Sequence, residues 1–226
     1  MLKELISFFT SDSLIDRAYK RIFEMLDLTH EMFLEAKNVL RKTDSNQIKY
    51  DINDQDLAVN KFQREVRKDI FNHLVMSGTE TLASDLVIVS IVIDLERIGD
   101  ITKNIVEIAQ SHPARLHSNL YDDKVVRIEE AVSENFEQTI KAFKNADEVL
   151  GRKIMKEYRW VSRVSDEILE SLMRDEDTEL KASSAVALAL YIRQLKRINS
   201  HLKNITSSVV NPFHRIGYSP KKKKKD

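Results

Sequence analysis

Glu96 and Asp100 stand four positions apart in Leu95-Glu96-Arg97-Ile98-Gly99-Asp100, and Asp56 and Asn60 repeat that spacing in Asp56-Leu57-Ala58-Val59-Asn60. On a helix, residues four apart share a face with Cβ atoms ~5–6 Å from each other. Two carboxylates so placed repel and cost a bare helix ~0.2–0.5 kcal/mol; a cation between them reverses the sign. Oxygen donors without sulfur suit hard or borderline cations such as Fe, Mn, Mg or Zn. The plainer reading is a solvated helix face, on which acidic pairs at this spacing are common. Other chemistries find less support. No Glu-x-x-His pair of the di-iron bundles occurs. The nearest, Asp27-x-x-His30, reads as chance, and His30-Glu31-Met32-Phe33-Leu34 lacks the second His of a zinc protease helix. Four glycines form no phosphate-cradling loop, and the absence of cysteine excludes thiolate chemistry and disulfides. The single tryptophan, Trp160, reads as core.

The elements that must position these residues are helices. In 226 residues there are 4 Gly and 3 Pro, too few turn formers for a sandwich or barrel, while charged residues make up 32%. The spacing predicts helices over Leu14 to Arg41, Gln47 to Met76 and Thr81 to Gln110. Ser11, Asp12 and Ser13 are candidate N-caps for the first, and Pro113 stops the third. Leu86 to Ile93 is β-branched enough for a strand, but it runs unpunctuated into Asp94-Leu95-Glu96 and reads as a buried helix. On that third helix one stripe carries Val89, Ile93, Glu96, Asp100, Lys103 and Glu107, which puts the acidic pair near the rim of a bundle. If the second and third helices pack antiparallel, Asp56, Asn60, Glu96 and Asp100 converge.

The second half repeats the plan, with helices over Asp122 to Asn145, Glu148 to Arg174 and Glu179 to Val210, the last ended by Pro212. Leu95 to Ile105 reads LERIGDITKNI; one hundred positions on, Leu195 to Ile205 reads LKRINSHLKNI, agreeing at six of eleven residues. Internal repetition decides architecture. The expected fold is all-α: two tandem three-helix bundles, six long helices in a pseudo-repeat. The divisions are a lead at 1–12, units at 13–113 and 120–212, and a basic tail at 213–226. At the positions of Glu96 and Asp100 the second unit has Lys196 and Ser200, and at those of Asp56 and Asn60 it has Ser162 and Asp166. A lysine in place of a carboxylate opposes a cation, so any metal site belongs to the first unit.

Lysine plus arginine equal aspartate plus glutamate at 36 each. Because Lys221 to Lys225 concentrates positive charge at the end, the body is slightly acidic and no nucleic-acid partner is expected. The opening residues carry no signal peptide pattern, and the most apolar run, Leu86 to Leu95, is too short to span a bilayer. A cytoplasmic protein is expected. Basic residues near anionic lipid are worth ~1 kcal/mol each, so the lysine tail would give weak, salt-sensitive membrane contact.

Leu95-Glu96-Arg97-Ile98-Gly99-Asp100 with Lys103-Asn104-Ile105-Val106-Glu107 resembles the signature helix of the PhoU family, in which Glu96 and Asp100 match a Glu/Asp-x-x-x-Asp motif. Asp56 and Asn60 match the acidic residue and the Asn or Asp of the family's second helix. Arg197-Ile198-Asn199-Ser200-His201-Leu202-Lys203-Asn204-Ile205 resembles its RIGDHATNI-like segment. The resemblance covers about residues 13–210. Departures are Lys196 and Ser200 for the acidic pair, Ile101 for the usual His, and Gln63 for a Glu. It implies a non-enzymatic cytoplasmic regulator of phosphate uptake and phosphate-responsive signalling. The implied partners are a phosphate transporter ATPase and a sensor kinase, with a homodimer as a further expectation. It also implies a surface metal, here Fe, Zn or Mn at Asp56, Asn60, Glu96 and Asp100. The alternatives are an accessory protein of a sodium-coupled or other phosphate carrier, held near the membrane by the tail, and a metal-dependent enzyme, which needs an open coordination position and a dry pocket.

Overall fold

The computed structural model describes residues 2–44, 48–49, 51–112 and 114–220, with side chains from residue 14 onward. Among the described residues seven α-helices follow one another: α1 (Leu2–Lys42), α2 (Ile52–Ser77), α3 (Leu82–Ser111), α4 (Asp122–Lys144), α5 (Glu148–Glu157), α6 (Trp160–Met173) and α7 (Ala182–Val210), before a short 3₁₀ turn at Phe213–Arg215. No strand occurs among the described residues. Helices α1–α3 form the first bundle and α4–α7 the second, with α5 and α6 together taking the place of one helix.

Apolar periodicity explains the packing. Ile22, Met25, Met32 and Phe33 of α1, Val59, Val66 and Ile70 of α2, and Ile91, Leu95 and Ile98 of α3 are buried in one core that continues into α4 and α7. Leu86 to Ile93 is helical, as its continuity with the following residues predicts. Helix α3 packs on α1 and α2 within its own unit and on α7 across the repeat boundary. Several polar contacts fasten that boundary, among them those of Asp94 and of Arg41. Asp94 on α3 accepts hydrogen bonds from His201 Nδ1 at 2.7 Å and Asn204 Nδ2 at 2.9 Å on α7. Arg41 on α1 pairs with Glu129 at 2.9 Å and Asp122 at 3.0 Å on α4, and the Tyr191 hydroxyl of α7 donates to the same Glu129 at 2.7 Å.

Four boundaries differ from the sequence reading, the first being the start of α2, which lies at Ile52 behind its Asp51 cap instead of at Gln47, with Ile48 and Lys49 outside the helix. Helix α1 begins at Leu2, so Ser11 to Ser13 lie within a helix instead of ending it; no Gly or Pro is present there to break it. The predicted fifth helix is broken at Tyr158 and Arg159. At the break the Tyr158 carbonyl accepts from Asn199 Nδ2 on α7 at 3.2 Å and from the Val161 amide, three residues on, at 3.3 Å. The last long helix begins at Ala182 rather than at Glu179. Gln47, Pro113 and the tail Lys221 to Lys225 lie outside the described residues, as do the side chains of Ser11, Asp12 and Ser13.

Candidate functional site: the acidic seam of the first repeat and its counterpart

Helix α2 starts at a conventional cap, Asp51, whose carboxylate accepts from the Asn53 amide at 2.8 Å. One turn on come Asp56 and Asn60, flanking the buried Val59. Opposite Val59 on α3 lies Gly99, where an added Cβ would stand 3.2 Å from Val59 Cγ1. The missing side chain lets the two helices approach closely. Because Glu96 and Asp100 bracket Gly99 as Asp56 and Asn60 bracket Val59, all four border one α2–α3 seam, at the rim the stripe predicts.

Within the seam, Asn60 Nδ2 donates to Asp56 Oδ2 at 3.3 Å. The Lys103 ammonium lies 3.6 Å from the same oxygen. Arg97 lies 3.6 Å from Glu96 and 3.4 Å from Asp100. Burial pushes the Glu96 carboxyl above its usual range, and repulsion from Asp100 and Asp56 adds to this against the pull of Arg97 and Arg67. Two buried oxygens, Asp56 Oδ1 and Glu96 Oε2, have no hydrogen-bond partner. Buried acceptors short of hydrogen bonds favour a cation, and for Glu96 Oε2 the Arg97 guanidinium at 3.6 Å supplies part of that charge. In donor type the seam therefore fits a hard cation. In assembly it stops short: among the described residues no three His, Asp or Glu side chains gather closely enough to hold a metal ion. Lys103 and Arg97 partly balance the charge. Lys103 sits on the same stripe as Glu96 and Asp100, and its partnership with Asp56 is the contact that the sequence reading did not foresee.

The counterpart seam of the second repeat is closed by protein charge. Lys196, at the place of Glu96, reaches Asp166, at the place of Asn60, with Nζ to Oδ1 at 2.5 Å. Ser200, at the place of Asp100, donates to the Lys196 carbonyl at 3.0 Å. An internal ammonium occupies the ground a cation would need.

Other sequence candidates take structural roles. Asp27 pairs with Lys144 at 2.8 Å, and His30 stacks on Phe136 with ring centroids 4.7 Å apart, so the two share no ligand. Trp160 packs against the core beneath Arg127, whose guanidinium carbon is 4.4 Å from the ring centroid.

Comparison with known proteins agrees with the duplicated helical fold. The family model described as PhoU domain matches twice, over residues 22–109 and 125–209. Among solved structures, the chain is similar to PhoU from Pseudomonas aeruginosa, with a TM-score of 0.79, 22% identity, and coverage of 88% of this chain and 96% of that one. It is also similar to the phosphate transport system regulatory protein PhoU from Streptococcus pneumoniae, with a TM-score of 0.76, 15% identity, and coverage of 88% and 95%. No curated protein sequence gives a significant match.

Proposed function

This chain belongs to the PhoU domain family, and from that premise we propose that it is a non-enzymatic regulator of phosphate uptake and phosphate-responsive signalling, working in the cytoplasm. The carrying observation is that the family model matches both halves, so most of the packed body is given over to the two repeats. The Streptococcus pneumoniae protein of the same fold is named as a regulator of a phosphate transport system, which supports the substrate class. No helix among the described residues is long and apolar enough to cross a membrane.

The physical work is the presentation of helix faces to other proteins, as helices do in grooves and bundles. Val186 and Leu190 on α7 and Met173 at the end of α6 are exposed together beside Leu169 and Leu172, and contiguous apolar surface of this kind marks protein contact. The partner assigned to it is the ATPase of a phosphate transporter, with a sensor kinase as the signalling partner. Asp56, Asn60, Glu96 and Asp100 would hold a hard or borderline cation, Fe, Zn or Mn, and the buried Asp56 and Glu96 oxygens that make no hydrogen bond support that reading. Such an ion would supply positive charge to the seam. The tagged full chain, drawn from cells grown in excess phosphate, should carry the transporter ATPase or the kinase with it. Recovering neither, in cells that express both, contradicts the reading.

A further inference from the structure

The second repeat carries a hollow of the opposite sign. It encloses about 220 Å³ between α4, α5, the first turn of α6 and α7, and its polar walls include Tyr158, Arg159, Ser162, Asn199, Ser200 and Lys203. Two cations line it and no carboxylate does. The repeat explains why. Lys203 stands one hundred positions after Lys103, whose ammonium approaches Asp56, but the counterpart of Asp56 is Ser162. Half-buried Lys203 has thus lost its carboxylate. Arg159 bonds only to neutral groups, the Met155 carbonyl at 3.1 Å and Ser219 Oγ at 3.0 Å. The nearby acids stand outside the lining: Asp166 is paired with Lys196, Glu157 lies 3.6 Å from Lys153, and Glu134 and Glu137 act on the Tyr158 hydroxyl, Glu134 also accepting from Gln138 Nε2 at 2.8 Å.

Three further features favour an anion. The break at Tyr158 and Arg159 starts α6 at the edge of the hollow, with neither a side-chain cap nor an acidic residue in its first turn, where the Tyr158 carbonyl takes the Val161 amide at 3.3 Å and the helix end adds a positive pole. Ser162, in the first turn of α6, adds a second hydroxyl to the wall beside that of Ser200. Ser200 donates its proton to the Lys196 carbonyl, which leaves its oxygen as an acceptor. A tetrahedral oxyanion that still carries a proton meets donors and an acceptor here; sulfate, with no proton at neutral pH, leaves the acceptor unused.

We propose that this hollow binds inorganic phosphate, Lys203 and Arg159 supplying charge and Ser162 and Ser200 the hydroxyl contacts. The choice of phosphate over other oxyanions rests on the regulatory reading, whereas an oxyanion site of some kind stands on the geometry alone. Binding to the purified chain is measured apart from any effect on transport, so either reading can fail without the other.

Isothermal titration of the full chain with inorganic phosphate should show one saturable site that sulfate competes for poorly. Lys203→Gln should weaken it by about tenfold or more, the loss expected for a charge-assisted hydrogen bond. Ser162→Asp returns to Lys203 the carboxylate partner that Lys103 has, and should abolish binding. Arg159→Gln, at an exposed position, provides a third variant that leaves the core untouched, and circular dichroism should show all three as helical as the parent. Absence of a saturable site up to ~10 mM phosphate, undiminished binding in the folded variants, or sulfate competing as well as phosphate would overturn the proposal.

Discussion

Replacing Arg41 by Met should destabilise the protein more than any other single exchange of a charged side chain at the repeat boundary. The side chains of Arg41 and Glu129 are 7% and 10% exposed, so each charge depends on the other. Arg41 Nε meets Glu129 at 2.9 Å, its second nitrogen meets Asp122 at 3.0 Å, and the third donates to the Leu116 carbonyl. The exchange keeps the apolar stem but strands Glu129 with a single donor, Tyr191, whose own hydroxyl burial and Glu129 hold well above its ordinary pKa. Removing one partner of a buried pair costs ~3–5 kcal/mol. A chain of this size loses ~2–4 °C of melting temperature per kcal/mol, so a drop of ~6–20 °C is expected. Urea unfolding followed by far-ultraviolet circular dichroism measures the free energy. Adding Glu129→Leu should recover part of the loss, because the stranded carboxylate is then gone, giving a coupling energy above ~1 kcal/mol. A loss below ~1 kcal/mol for Arg41→Met, or additive effects in the double variant, would refute the reasoning.

Further outcomes follow from particular contacts. Burial holds the His30 imidazole below its usual range, despite the opposing pull of Glu137, with Lys37 adding to the depression. The unfolded chain then takes up that proton first as pH falls through ~6.5, so acid favours unfolding, and His30→Phe should lessen the fall in urea midpoint between ~pH 7.5 and ~pH 5. Gly217 has φ +83°, its amide donates to Ser207 Oγ at 2.6 Å, and an added Cβ would stand 2.9 Å from Asn204 Oδ1. Gly217→Ala should therefore cost ~1–3 kcal/mol locally, read as faster hydrogen exchange at that amide with little change in global unfolding. Elemental analysis of Glu96→Gln/Asp100→Asn against the parent should show less bound metal in the variant; equal content removes the proposed cation site.

Much of this architecture is legible in the residues because it follows from periodicity. The apolar positions of α1, α2 and α3 fall at helical spacing, and the kinship of Leu95–Ile105 with Leu195–Ile205 reveals the duplication. That Asp56 and Asn60 share one helix face, and Glu96 and Asp100 another, follows from the two four-residue spacings alone. What could not be read depends on contacts distant in sequence. Nothing near Tyr158 and Arg159 signals a break; the residue that bonds the Tyr158 carbonyl there, Asn199, comes from another helix. The substitution of Lys196 for a carboxylate is plain in the sequence, but only packing shows that its ammonium turns to Asp166 and closes the second seam. Lys203 likewise gains meaning only when Ser162 is seen beside it on the wall of a hollow. At α1 the capping residues misled, because short polar side chains tolerate a helix interior when no backbone constraint ends the helix.

Uptake of radiolabelled phosphate by cells grown with ample phosphate, compared between the parent strain, a strain lacking this chain, and that strain carrying either the intact chain or the Asp56→Asn/Glu96→Gln/Asp100→Asn form, tests regulation by the acidic seam. Loss of the chain should raise uptake, the intact chain should restore restraint, and the neutralised form should fail to restore it while remaining folded and abundant. Uptake unchanged by loss of the chain would contradict regulation of phosphate transport, and full restoration by the neutralised form would contradict the part assigned to the seam.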